Sequence, residues 1–378
     1  MQKRRKILFL ISESWYFLSH RLELARACVA MGWEVVVATR IAEHAPIEEP
    51  GIRVVPITMR RSGRHPVEEL RTLWELYRLF RQERPDILHT VGLKPVLYGA
   101  TVAPLAGVRR TVSALAGMGY IFMSASLRVA LIRKALVVWL RAALRRKGSW
   151  LIVQNRDDAK MLIGGGVVNS GQVLIIRGSG VELDHYRSTP EPAGPVVFAV
   201  VARMLTDKGI REVVLAARQL KRMGVDAEVW LVGSPDADNP TSLSERQLAA
   251  WNAEGCVRWL GEQADIRAIW EKAHVCVLPS YREGLPKALL EAAATGRPII
   301  TTDVPGCREV VSHEVNGLLV PVNDWCALAE AMARLAADPD LRTRLGAEGR
   351  RLVEAELGTA SINRQIVELY QHALGARP

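Results

Sequence analysis

The chain has 378 residues, 49% of them hydrophobic and 24% charged, which is ordinary globular material for more than one hydrophobic core. A formal net charge of +10 and a pI near 9.6 favour anionic partners, whether nucleic acid, an acidic membrane surface or phosphorylated substrates. Five scattered cysteines without CxxC spacing speak against a zinc site or a disulfide framework and fit a reducing compartment. The basic start MQKRRKILFLISES reads as a first buried strand rather than a leader, because its apolar run is short and polar residues follow it. No stretch reaches the ~18 apolar residues that span a bilayer.

In chain order, KILFLIS (6–12) predicts a strand and residues 19–31 a helix. EVVVAT (34–39) is a second strand, and helical apolar spacing runs over 67–83. DILHTV (86–91) and RRTVSAL (109–115) are further strands. This βαβ series implies a parallel sheet covered on both faces. RSTPEPAG (187–194) has two prolines, a glycine and no apolar period, and is expected to link two domains. A second series follows: PVVFAVVA (195–202), AEVWLVG (227–233), VRWLG (257–261), HVCVLPS (274–280) and RPIITTD (297–303), with a last helix over 361–373. The expected fold is α/β, with two Rossmann-like domains whose parallel sheets face each other across a cleft. The expected bounds are 1–186, 195–358 and a helix in 359–378 packing back toward the first domain. Ligands should lie beyond the carboxyl ends of the strands.

The segment PSYREGLPKALLEAAATGRPIITTDVPGCRE (279–309) carries the most chemistry. A loop presents Arg282, Glu283 and Gly284, and Pro286 suits the first turn of a helix that Gly296 ends. The leading N–H groups of that helix would attract anions and sugar hydroxyls. Glu283 and Glu291 would be ~12 Å apart along one helix at 1.5 Å per residue. That exceeds the ~5–9.5 Å at which two carboxylates share one glycosidic bond. They suit separate tasks on an extended ligand such as a nucleotide sugar. The plainer alternative makes Glu283 a helix cap and Glu291 an exposed helix residue. In VVARMLTDKGI (200–210), Arg203 and Lys208 follow the first strand of the second half, where two cations suit a diphosphate. Gly209 permits close approach there. Asp236 and Asp238 have DxD spacing but sit in a Pro- and Asn-rich stretch that reads as a turn.

These marks, with TGRPIITTDVPGCREVV and NGLLVPVND, resemble glycosyltransferase family 4 over nearly the whole chain. The resemblance implies the GT-B fold, retention of anomeric configuration and no obligate metal or other cofactor beyond the nucleotide-sugar donor. It implies that Glu283 contacts the donor sugar, Glu291 the ribose, and Arg203 with Lys208 the diphosphate. Gly284, Leu285 and Pro286 would give backbone contacts. The first half departs from the family pattern: SESWYFLSHR (12–21) lacks a glycine pair, and Ser113 and Ala114 stand where many relatives have histidine. His20 and His89 are the nearby alternatives on the acceptor side. SHRLELA, HTVGLKPVLYG and GMGYIF are similar to a subgroup that extends polyprenyl-diphosphate-linked glycans, often from UDP-linked N-acetylhexosamines.

Residues 124–150 interleave basic residues with apolar ones, including Arg133, Arg141, Trp139 and Trp150. Such a helix suits the anionic inner face of a cytoplasmic membrane, with MRRSGRH (59–65) beside it. Lys94, Arg133 and Arg141 are therefore acceptor or lipid-side candidates, and the expected location is cytoplasmic and peripheral. Three rivals are another GT-B enzyme such as a sugar-nucleotide epimerase, a nucleic-acid binder and a non-catalytic membrane-associated protein. No nucleic-acid motif accompanies the charge, which speaks against the second.

Overall fold

The computed structural model describes residues 4–42, 45–60, 65–115, 127–237 and 239–375. The GMG turn (117–119), most of the 59–65 loop and Asp238 lie outside these residues. Two compact units divide the chain. The first comprises Met1–Ser179 and Ile362–Pro378, the second Gly180–Ser361.

The first unit opens with β1 (Lys6–Glu13), α1 (Ser14–His20), α2 (Leu22–Ala30), β2 (Glu34–Arg40) and β3 (Ile52–Pro56). It continues through α3 (Pro66–Glu83), β4 (Ile87–Val91), α4 (Leu93–Leu105), β5 (Thr111–Leu115) and α5 (Leu127–Leu144). It closes its sheet with β6 (Ser149–Val153), α6 (Arg156–Gly164) and β7 (Val173–Ile175). The second unit holds β8 (Val196–Val201), α7 (Ile210–Arg222), β9 (Ala227–Val232), α8 (Glu245–Ala253) and β10 (Arg258–Gly261). There follow α9 (Ile266–Lys272), β11 (Val275–Leu278), α10 (Lys287–Ala294), β12 (Ile299–Thr302), α11 (Pro305–Arg308) and β13 (Gly317–Val320). Helices α12 (Trp325–Ala337), α13 (Pro339–Leu352) and α14 (Thr359–Gly375) end the chain.

Both sheets are parallel. The first has seven strands in the order β3-β2-β1-β4-β5-β6-β7, the second six in the order β10-β9-β8-β11-β12-β13. Helices cover both faces, so the inner strands are apolar throughout rather than alternating. In β1 the period of two still sorts the side chains. Leu8 and Leu10 join a core with α3, α4 and α5, while Ile7, Phe9 and Ile11 join one with α2 and α14. In the second unit Phe198 and Val200 pack with α7 and α12, and Val197 and Ala199 with α9 and α10.

Four expectations need correction. The single helix expected over 19–31 is two helices, broken at Arg21, whose φ of −133° is not helical. Trp150 is no interfacial tryptophan: it is buried on β6, where a strand replaces the end of the expected basic helix. Residues 187–194 are no free linker. They lie inside the second unit, where Arg297 donates to Pro190 O at 3.0 Å and Arg342 Nε to Glu191 at 3.1 Å. The division falls instead at Ser179 and Gly180. Four strands, β3, β6, β7 and β13, had no separate expectation. Among the described residues no helix is long and apolar enough to cross a membrane.

Candidate active site

The order β9-β8-β11-β12 sets four exit loops side by side at the carboxyl edge of the second sheet. After β8 the backbone stays bound to the β9 exit. Ala202 N–H donates to Val232 O at 3.0 Å, and Met204 N–H to Ser234 O at 3.0 Å. Arg203 therefore stands beside Asp236, and its Nη1 donates to that carboxylate. A 3-10 turn, Thr206–Lys208, then ends at Gly209 with φ +73°. A Cβ on Gly209 would lie 2.2 Å from the Pro279 carbonyl oxygen, so glycine is what lets the β8 and β11 exits touch. Tyr281 N–H bonds Asp207 O across the same contact at 2.9 Å.

Through that contact Lys208 reaches Glu283. Its Nζ donates to Glu283 Oε1, which also accepts from Ser280 Oγ at 2.7 Å. The Ser280 carbonyl is in turn held by Thr302 Oγ1 from β12. On the other side α11 presses against the loop. A Cβ on Gly306 would lie 2.4 Å from Gly284 O and 2.6 Å from Glu283 O. Helix α10 begins at Lys287 with Pro286 as its N-cap residue and no side-chain cap. The Pro286 carbonyl serves in place of a side chain, accepting from Leu289 N–H at 3.1 Å.

Glu291 lies one turn further along α10 and is 7% exposed. Burial raises its carboxyl above the ordinary range, against the opposing pull of Lys287, Tyr186 and Trp270. Lys287 Nζ stands 3.7 Å from Glu291 Oε1. Burial and this neighbouring carboxylate push the Tyr186 hydroxyl up as well. The Trp270 indole N–H lies close by without a hydrogen bond of normal geometry. Both halves of the plainer alternative therefore fail. Glu283 bonds Lys208 and Ser280 rather than capping α10, and Glu291 is buried rather than exposed.

The candidates of the first unit are dispersed over β4, α1, α4 and α5. His89 is a core residue, not an acceptor-side one: it has no exposed surface and packs on Phe9. Its Nδ1 bonds the Tyr370 hydroxyl on α14 at 2.9 Å, and burial, with Arg21 nearby, holds its pKa well below the ordinary value. His20 ends α1, stacked on Tyr16 with ring centroids 4.1 Å apart and its Nδ1 2.6 Å from Ser19 Oγ. Lys94 donates to Glu69 at 2.8 Å and to Arg60 O at 2.7 Å. Arg141 donates to Gly165 O at 2.8 Å from the surface of α5, and Arg133 is half-buried on the same helix.

Sequence reasoning missed four residues of the second-unit site. Asp236 reads as part of a turn until the strand order puts the β9 exit next to Arg203. Ser280 and Gly306 lie within the quoted motif but show their roles only through the Glu283 loop. Tyr186 precedes the expected linker and carries no local signal.

Two family models match the chain. The description "Glycosyl transferase 4-like" covers residues 6–153, and "Glycosyl transferases group 1" covers residues 183–352. The chain belongs to glycosyltransferase family 4. This glycosyltransferase is 24% identical over 352 residues to the N,N'-diacetylbacillosaminyl-diphospho-undecaprenol alpha-1,3-N-acetylgalactosaminyltransferase of Campylobacter jejuni, covering 87% of this chain and 91% of that protein. It is 27% identical over 283 residues to the UDP-Gal:alpha-D-GlcNAc-diphosphoundecaprenol alpha-1,3-galactosyltransferase of Escherichia coli, covering 72% of each. Among solved structures, sucrose-phosphate synthase from Thermosynechococcus elongatus superposes with a TM-score of 0.83 over 99% of this chain and 100% of that one, at 24% identity. That likeness is one of fold, and the fold of this glycosyltransferase is GT-B.

Proposed function

We propose that this glycosyltransferase moves a hexose or N-acetylhexosamine from a UDP-sugar to a polyprenyl-diphosphate-linked glycan, with retention of configuration, in surface polysaccharide or glycoprotein-glycan assembly. The observation that carries the reading is the meeting of Lys208 with Glu283 across the β8 and β11 exits, with Arg203 earlier on the same β8 exit. In this scheme Arg203 and Lys208 neutralise the donor diphosphate and stabilise it as it leaves. Glu291 accepts from the ribose hydroxyls, and Glu283 accepts from the donor sugar once Lys208 turns to the phosphates. Gly284, Leu285 and Pro286 lend backbone contacts. No side chain in this arrangement is placed as a covalent nucleophile, so the acceptor hydroxyl attacks from the face the diphosphate leaves, and no metal ion is required. The activities of the two relatives support a lipid-diphosphate acceptor and, for one of them, a UDP-sugar. Such an acceptor places the enzyme peripherally at the inner face of the cytoplasmic membrane.

A panel of nucleotide sugars, assayed for hydrolysis and for transfer to polyprenyl-diphosphate glycans, tests the proposal, with product anomers read by NMR. Lys208→Ala should lower turnover by about 10²–10³. Glu283→Ala should lower turnover far more than it lowers the melting temperature. Unchanged transfer in Glu283→Ala removes the site, and an inverted product removes the mechanism.

A further inference from the structure

One face of the first unit carries large apolar side chains in the open. On α3, Val67, Leu70 and Trp74 are 66, 67 and 61% exposed. At about 100° per residue they fall in a single sector of the helix, and Arg71, Arg78 and Arg81 share it. No acid lies within the sector, and Glu75 and Glu68 flank it on one side. Glu69 turns to Lys94 and Tyr98, and Glu83 to Lys6 and Arg53, while Glu75 is engaged by Thr58 beside the arginines. Beside this face a groove of about 350 Å³ runs between α3 and the end of β3, its wall including Val55, Thr58, Arg71, Trp74, Glu75 and Arg78, two cations to one acid. On helix α5, which the sequence marks as the membrane helix, two of the described candidates are held by neighbours. Its Trp139 donates to Thr101 Oγ1 at 2.8 Å and stacks on Tyr98, and its Arg141 holds Gly165.

We propose that the exposed face of α3 docks this glycosyltransferase on an anionic bilayer. Val67, Leu70 and Trp74 enter the boundary between headgroups and acyl chains, while Arg71 and Arg78 meet lipid phosphates at the groove. The inference rests on the proposed lipid-linked acceptor and adds the surface that brings the enzyme to it. Charge selects the occupant. A second copy of this +10 chain, packed face to face, would oppose the same arginines to one another.

The test is flotation of the full-length protein with vesicles of phosphatidylcholine alone or mixed with phosphatidylglycerol. Two double variants are compared: Leu70→Ser with Trp74→Ser, and Arg71→Gln with Arg78→Gln. All four positions are at the surface, so circular dichroism and melting temperature should match the parent. The parent should float with the anionic vesicles. The arginine variant should partition about twenty-five-fold more weakly, about fivefold for each charge, and the apolar variant should stay in the dense fraction. Undiminished flotation of both variants overturns the α3 surface and leaves peripheral association standing elsewhere. A parent that floats with neither vesicle overturns both, while UDP-sugar binding by thermal shift still judges the donor site separately. Variants that lose a dimer in sedimentation velocity, with flotation unchanged, would assign the face to a second copy instead.

Discussion

Gly306 gives the sharpest test of how the donor loop is held. In Gly306→Ala the new methyl would start 2.4 Å from Gly284 O and 2.6 Å from Glu283 O. Carbon and carbonyl oxygen tolerate about 3.3 Å at closest, so one element must move by roughly 0.7–0.9 Å. Neither contact is the far end of a flexible side chain; both are backbone. Overpacking of this kind costs about 1–3 kcal/mol, which lowers the melting midpoint by roughly 2–12 °C at about 2–4 °C per kcal/mol. The displaced backbone carries Glu283 itself. A misplacement near 1 Å at a reacting group costs about 10²-fold, so turnover should fall by about that factor. Gly346→Ala is the control. Its Cβ would lie 2.0 Å from Gly296 O, beyond the end of α10, so it should destabilise the fold with a much smaller loss of turnover per degree. Melting by calorimetry and donor kinetics on both variants decide the matter. Gly306→Ala with parental kcat and KM would refute the idea that α11 positions Glu283.

Glu291→Gln should trade function for stability. Burial raises this carboxyl, so the folded state binds its proton more tightly than the unfolded chain does. The associated stability is complete below the ordinary value of 4.5 and is lost as pH climbs through the raised value. The variant should melt higher than the parent at neutral pH, lose this part of the pH dependence and bind donor more weakly; a lower neutral-pH midpoint with unaltered donor KM would count against it. Asp236→Asn releases Arg203 and removes a negative charge beside the proposed diphosphate site. With about 1 kcal/mol for unit charges ~4 Å apart in water, donor KM should fall about fivefold at low salt, and a rise would show Asp236 to be a positioning partner. Tyr370→Phe strips His89 Nδ1 of its bond inside the core. It should cost about 1–3 kcal/mol, seen as a lower melting midpoint with donor KM unchanged.

Much of the second unit is legible from local pattern. Its strands are short apolar runs, and Arg203, Lys208, Glu283 and Glu291 sit at the joints between strand and helix where parallel sheets bind ligands. What local pattern lacks is neighbourhood. Asp236 becomes Arg203's partner because β9 adjoins β8, and no spacing within the loop records that. Gly306 reads as part of a turn until the carbonyls of Glu283 and Gly284 arrive against it. The first unit misleads where burial overrides composition. His89 looks like a strand-end functional group, yet both sheet neighbours and α14 enclose it. Trp150 follows a basic helix in sequence but belongs to a strand. The exposed stripe of α3 was visible as helical apolar spacing, but spacing alone does not tell a core-facing leucine from Leu70.

The closing helix has a consequence for biogenesis. Ile362, Ile366, Leu369, Tyr370 and Ala373 complete a core begun by Ile7 and Phe9, so the first unit is discontinuous in the chain. On the ribosome the strands of its first part emerge early but lack one wall until residues 362–373 are made. The second unit, continuous from Gly180 to Ser361, has all its parts sooner. A premature stop ahead of residue 362 would thus injure the unit whose strands are synthesised before the second unit.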